Sequence, residues 1–96
     1  MRMAKELTIE EEVIKLVQKI LNVDKTVPEE AREPILTLFK WAYLDDEIDE
    51  SVLGKWTTLG FVKDGQFGVN LEQLEIQIPF MALAWSAGWK AEMVEA

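Results

Sequence analysis

The chain has 96 residues, with 10 basic and 18 acidic side chains for a net charge of −8, and contains neither histidine nor cysteine. Without histidine the usual general base and the commonest metal ligand are missing; without cysteine there is no thiolate, disulfide or Cys/His zinc site. Serine–histidine and cysteine–histidine nucleophilic schemes are excluded, and the redox compartment leaves no trace in the sequence.

A chain this short makes one domain, residues 1–96, around one modest core. Its hydrophobic fraction of 49% is that of a folded body rather than a disordered acidic tail. The opening Met1 to Thr8 holds basic residues with no apolar run behind them, so no secretory signal is read there and a cytoplasmic location is expected. The most apolar stretch, Pro79 to Ala91, is shorter than the roughly 20 residues that cross a bilayer and includes Lys90, so no membrane span is expected.

Taken in chain order, the first element is announced by Thr8 and Glu11, three apart as in a capping box. Behind them Ile9, Val13, Leu16, Val17, Ile20 and Leu21 keep spacings of three and four, which predicts a helix to about Asn22 with one apolar stripe. Pro28, followed by Glu29 and Glu30, opens a short helical turn that Pro34 is expected to interrupt. A new or kinked helix is predicted from Pro34 to Leu44, with Ile35, Leu38, Phe39, Ala42 and Tyr43 on one face. The acidic run Asp45, Asp46, Glu47, Asp49 and Glu50 then leads into a helix over Ser51 to Leu59, where carboxylates suit the positive N-terminal end. Gly60 with Phe61 behind it fits a Schellman ending.

Asp64-Gly65 between short apolar segments predicts a β-hairpin around residues 61–69. Asn70 to Ile78 carries two signals: Asn70 and Gln73 resemble a capping box, while Leu74, Ile76 and Ile78 alternate as a strand would. A helical turn passing into an extended segment that Pro79 ends is the reading adopted. The last helix is predicted over Phe80 to Val94, with Met81, Trp85, Trp89 and Met93 four apart along one stripe. The expected fold is therefore mainly α, a small single-domain bundle of four to five helices with one short hairpin.

Three constellations bear on function. Read as a calcium loop from Asp45, the acidic run lacks the glycine wanted at the sixth position, where Glu50 stands, and the acid wanted at the twelfth, where Trp56 stands. A solvated helix entrance is the better reading, and no metal or other cofactor is expected. The helix over Ser51 to Leu59 followed at once by the Asp64-Gly65 hairpin resembles the last helix and wing of a winged-helix domain, which would imply DNA binding. That role needs basic residues on the helix and wing, and only Lys55 and Lys63 are there, so no direct nucleic-acid contact is expected.

The last helix is apolar over more than one stripe, and a domain of this size has little core to cover the surplus. The expected function is a non-enzymatic protein-protein interaction or regulatory module, a homodimer with Met81, Trp85, Trp89 and Met93 at its interface. The charge is uneven: residues 1–50 carry −6 and residues 51–96 carry −2. The alternative is thus an acidic inhibitor or nucleic-acid mimic that presents the face of Asp45, Asp46, Glu47, Asp49 and Glu50 to a basic site on a partner protein.

Overall fold

The computed structural model describes residues 8–95, and the side chains of residues 8–88. It is a mainly helical bundle built from α1 (Ile9–Val23), α2 (Glu29–Leu44), α3 (Glu50–Thr58), a hairpin of β1 (Val62–Lys63) and β2 (Gln66–Phe67), a single 3-10 turn at Leu71–Gln73, and α4 (Leu74–Glu95). Helices α1, α2 and α4 pack on one another, while α3 rests chiefly on β1 and α4.

The start of α1 follows its capping box. The Thr8 hydroxyl accepts from the Glu11 backbone N–H at 3.2 Å, and the Glu11 carboxylate accepts from the Thr8 N–H at 3.3 Å. Val13, Ile14, Val17, Ile20 and Leu21 are buried along one face, each contributing about 1.5–3 kcal/mol of gross transfer energy. Ile9 and Leu16, expected on that stripe, lie on its outer edge and stay exposed.

Pro34 does not interrupt α2, contrary to expectation. The helix runs unbroken from Glu29, with Pro28 as its N-cap, and it carries Pro34 in its second turn. Proline removes one hydrogen bond, the one to the carbonyl of Glu30, and costs about 3 kcal/mol in a helix interior. Glu30 lies at the surface, where water serves that carbonyl, and the helix buries Ala31, Ile35, Leu38 and Phe39 on a single face. At about 1.5–3 kcal/mol for each large side chain, that burial outweighs the loss.

Both ends of the link from α2 to α3 use aspartates. Asp45 adopts the left-handed conformation (φ 51°) that ends α2, and its N–H donates to the Lys40 carbonyl. Asp49 is the N-cap of α3, accepting from the Ser51 N–H at 2.8 Å. Helix α3 ends as foreseen: Gly60 takes φ 91°, and Phe61 N–H donates to the Trp56 carbonyl at 3.1 Å. The hairpin also forms as expected, pairing Val62 with Phe67 and Lys63 with Gln66 around a two-residue turn in which Asp64 and Gly65 both have positive φ. Phe67 stands edge-on to Phe39 at 5.0 Å and to Tyr43 at 6.2 Å, which fixes the hairpin to α2.

The predicted extended segment before Pro79 is absent. Asn70 caps the 3-10 turn by accepting from the Glu72 N–H, and Gln77 rather than Gln73 closes the motif by accepting from the Asn70 N–H at 2.9 Å. From Leu74 the chain is α-helical straight through Pro79. The carbonyl that Pro79 leaves unpaired belongs to exposed Glu75, and Leu74, Ile78, Met81, Ala82 and Trp85 on the inner face supply the compensating burial. In the core, Trp56 lies against Trp85, with ring centroids 4.5 Å apart and planes tilted by 34°, and meets Phe61 edge-on at 5.6 Å.

Candidate interaction surface

Helix α4 presents two apolar faces. At 100° per residue, Leu74, Ile78, Met81, Ala82 and Trp85 fall on the side turned to α1, α2 and α3 and are buried. Ile76, Phe80, Leu83 and Ala87, spaced four, three and four apart, fall on the opposite side. Ile76 is 71% exposed, Phe80 62% and Leu83 65%, and no charged residue stands among them. A globular helix normally carries one apolar stripe and a polar back. Over residues 74–88 its polar residues, Glu75, Gln77 and Ser86, fall on the flanks between two apolar faces.

The outer face of α4 adjoins α1. Leu16, Leu71 and Ile76, together with the polar Glu72, Gln73 and Glu75, line one hollow of about 320 Å³ at the N-terminal end of α4. Ile9, Leu16 and Val23 recur every seven residues along one edge of α1, and all three are exposed. Exposed apolar side chains thus stand on both neighbouring helices, which makes this region the candidate surface. Phe80 is held in place from one side by Phe61, 6.1 Å away and edge-on.

The residues singled out from sequence are distributed differently. Met81 is fully buried and Trp85 is 8% exposed, so both belong to the core of the protomer and neither is on its surface. They sit a half-turn from the face that is free, because the helix phase that fills the core has Leu74 and Ile78 in register with them. The side chains of Trp89 and Met93 lie outside the described residues. Ile76, Phe80 and Leu83 do not line up in the sequence when Asn70 to Ile78 is partly extended. A helical phase carried back through Pro79 aligns the three residues at once.

The acidic run is exposed throughout: Asp45, Asp46, Glu47, Asp49 and Glu50 all face solvent. Its best-defined members serve the backbone. Asp49 takes hydrogen bonds from the side chain and N–H of Ser51, which hold its carboxyl below the ordinary value; Thr26 does the same for Asp24 after α1. Burial pushes the Tyr43 phenol up. A hollow of about 470 Å³ between the end of α2 and the hairpin is lined by Tyr43, Phe67 and a single carboxylate, Asp45. Among the described residues no three acidic side chains converge as a metal site, and no helix is long and apolar enough to cross a membrane.

No protein-family model, curated protein or solved structure matches this chain.

Proposed function

We propose that the chain is a non-enzymatic protein-protein interaction module that self-associates through the outer face of α4. The observation that carries this reading is the alignment of Ile76, Phe80 and Leu83, each more than 60% exposed, on a helix whose opposite face already fills the core. Leaving three such side chains in water forgoes about 1.5–3 kcal/mol of burial energy apiece, which association recovers in part. Two chains of charge −8 repel, and the contact that costs least is one over residues 76–87 of α4, which carry no charged residue and lie away from the acidic run between α2 and α3.

Sedimentation velocity from about 1 to 100 µM tests the reading. The wild-type chain is expected to shift reversibly from the 11.0 kDa protomer to twice that mass. Leu83→Lys places a cation on the free face twice per dimer and is expected to leave the protomer alone at every concentration, with unchanged helical circular dichroism. A wild-type chain that remains a protomer throughout removes the proposal.

A further inference from the structure

The end of α2 and the hairpin enclose an opening that shares no residue with α4. We infer that this hollow of about 470 Å³ binds a quaternary ammonium group, held by the rings of Trp41, Tyr43 and Phe67 and by the carboxylate of Asp45. The site is independent of self-association, because none of the residues that line it belongs to the outer face.

The last turn of α2 makes the gap. At 100° per residue Trp41 and Tyr43 leave the helix about 200° apart with Ala42 between them, so two large rings flank a position whose side chain is a single methyl. Asp45 falls about 40° from Trp41, one turn further on, and adds its carboxylate to the same rim. The facing wall is the hairpin, where Gly65 and Gln66 stand at the turn and Phe67 follows in β2. Gly65 has no side chain to close the mouth.

Two of the three rings are set before a ligand arrives. Buried Phe39 stacks on Tyr43 with centroids 6.0 Å apart and planes 15° from parallel, and it meets Phe67 edge-on at 5.0 Å. Tyr43 and Phe67 therefore stand 76° apart in plane with centroids at 6.2 Å, as two walls of a corner. Trp41 is half-buried and makes no ring contact among the described residues. The backbone of Asp45 is held in the left-handed region by the bond from its N–H to the Lys40 carbonyl, while its carboxylate accepts no hydrogen bond among the described residues. No lysine or arginine lines the hollow.

That combination selects the chemistry of the ligand. Aromatic faces attract a cation placed over them, and one carboxylate balances a single positive charge. A primary ammonium is strongly hydrated and carries three N–H donors, which ring faces do not satisfy. A quaternary ammonium has no donor to satisfy and turns methyl groups to the rings while its charge meets Asp45. The volume falls within the roughly 300–1,000 Å³ of small-ligand sites, and the net charge of −8 draws cations toward the chain.

Proton–nitrogen correlation spectra of the full chain test the site. They follow titration with choline, with its neutral isostere dimethylbutanol, in which carbon replaces the nitrogen, and with sodium chloride at matched ionic strength. Choline is expected to shift the amides of residues 41–45 and 65–67 saturably with a millimolar Kd, and dimethylbutanol to bind about tenfold more weakly. Asp45→Asn keeps a residue that tolerates the left-handed cap, and is expected to weaken choline about fivefold while leaving dimethylbutanol unchanged. Trp41→Leu is expected to weaken choline about tenfold, with resonances away from the hollow unmoved as the sign of an intact fold. Leu83→Lys is expected to bind choline as the wild type does. A short peptide bearing one trimethyllysine separates the two sources of such a group: tighter binding than choline assigns it to a methylated side chain, weaker binding to a free solute, and either upholds the ammonium site. Equal binding of choline and dimethylbutanol overturns the assignment, as does tighter binding of butylammonium than of choline. Spectra without saturable shifts at these residues up to about 100 mM choline overturn the site itself.

Discussion

The inner and outer faces of α4 are built from nearly the same residue types and have opposite fates. Inside, Leu74, Ile78 and Met81 are sealed by α1, α2 and α3; outside, Ile76, Phe80 and Leu83 are more than half exposed. Composition does not distinguish them, since both are aliphatic with one or two larger side chains. What distinguishes them is coverage: among the described residues, α1, α2 and α3 pack over one side of α4 and leave the other open. The helix phase, not the residue type, decides which apolar side chains the protomer buries.

Two isoleucines two positions apart give the sharpest way to break that comparison. Ile78 is fully buried and Ile76 is 71% exposed. Ile78→Ala is expected to cost about 2–5 kcal/mol in urea unfolding, independently of protein concentration, because it leaves a cavity among Leu74, Met81 and the residues of α2. Ile76→Ala is expected to change the unfolding free energy of the dilute protomer by no more than about 0.5 kcal/mol and to weaken association instead. Equal destabilisation by the two substitutions at low concentration would mean that the outer face is sealed in the protomer.

Much of the architecture was legible in the sequence because it is written in short-range chemistry. Thr8 with Glu11, Gly60 with Phe61, and Asp64 with Gly65 each specify a backbone geometry through neighbours no more than a few residues away, and each forms as expected. Pro34 and Pro79 misled for the complementary reason. Their local cost is real, but it is set against burial of residues from elsewhere in the chain, which no local pattern reports. The candidate surface suffered from the second of these. An extended segment up to Ile78 leaves Ile76 without a phase relation to Phe80 and Leu83, so the sequence pattern picks out the stripe of Met81 and Trp85, which the core buries.

Acid separates the two faces by their different dependence on charge. From pH 7 toward the isoelectric point near 4.5 the net charge of −8 dissipates, and added salt screens it at any pH; both are expected to tighten association several-fold. Protomer stability follows another course. Asp49 and Asp24 have folded-state pKa values below the ordinary carboxylate value of about 3.9, so their stabilising contribution is complete above that pH. It is lost as the pH falls through their lowered values, below about pH 4. Asp49→Asn keeps a good N-cap and removes the titration, so the acid limb of a urea-midpoint profile is expected to flatten in that variant while the strengthening of association between pH 7 and 4.5 persists. Association that weakens with salt would instead point to charge pairs across the interface.

The smallest effect is expected at Gly88, on the flank of α4 that faces the end of α3. A Cβ added there would stand 2.8 Å from one methyl carbon of Leu59 at the end of α3 and 3.6 Å from two further carbons of that side chain. Alanine gains about 0.5–1 kcal/mol over glycine within a helix by reducing the entropy lost on folding. Against this, Leu59 must move by several tenths of an ångström, which is inexpensive because the obstructing atom is the far end of a flexible, half-buried side chain. The two terms nearly cancel, so Gly88→Ala is expected to shift the protomer's unfolding free energy by less than about 0.5 kcal/mol. Gly88→Val adds two further carbons toward Leu59 and forfeits helix propensity, and overpacking of this kind costs about 1–3 kcal/mol. Neither substitution lies on the stripe of Ile76, Phe80 and Leu83, so a loss of association in Gly88→Ala would show that α3, and not only α1, borders the outer face.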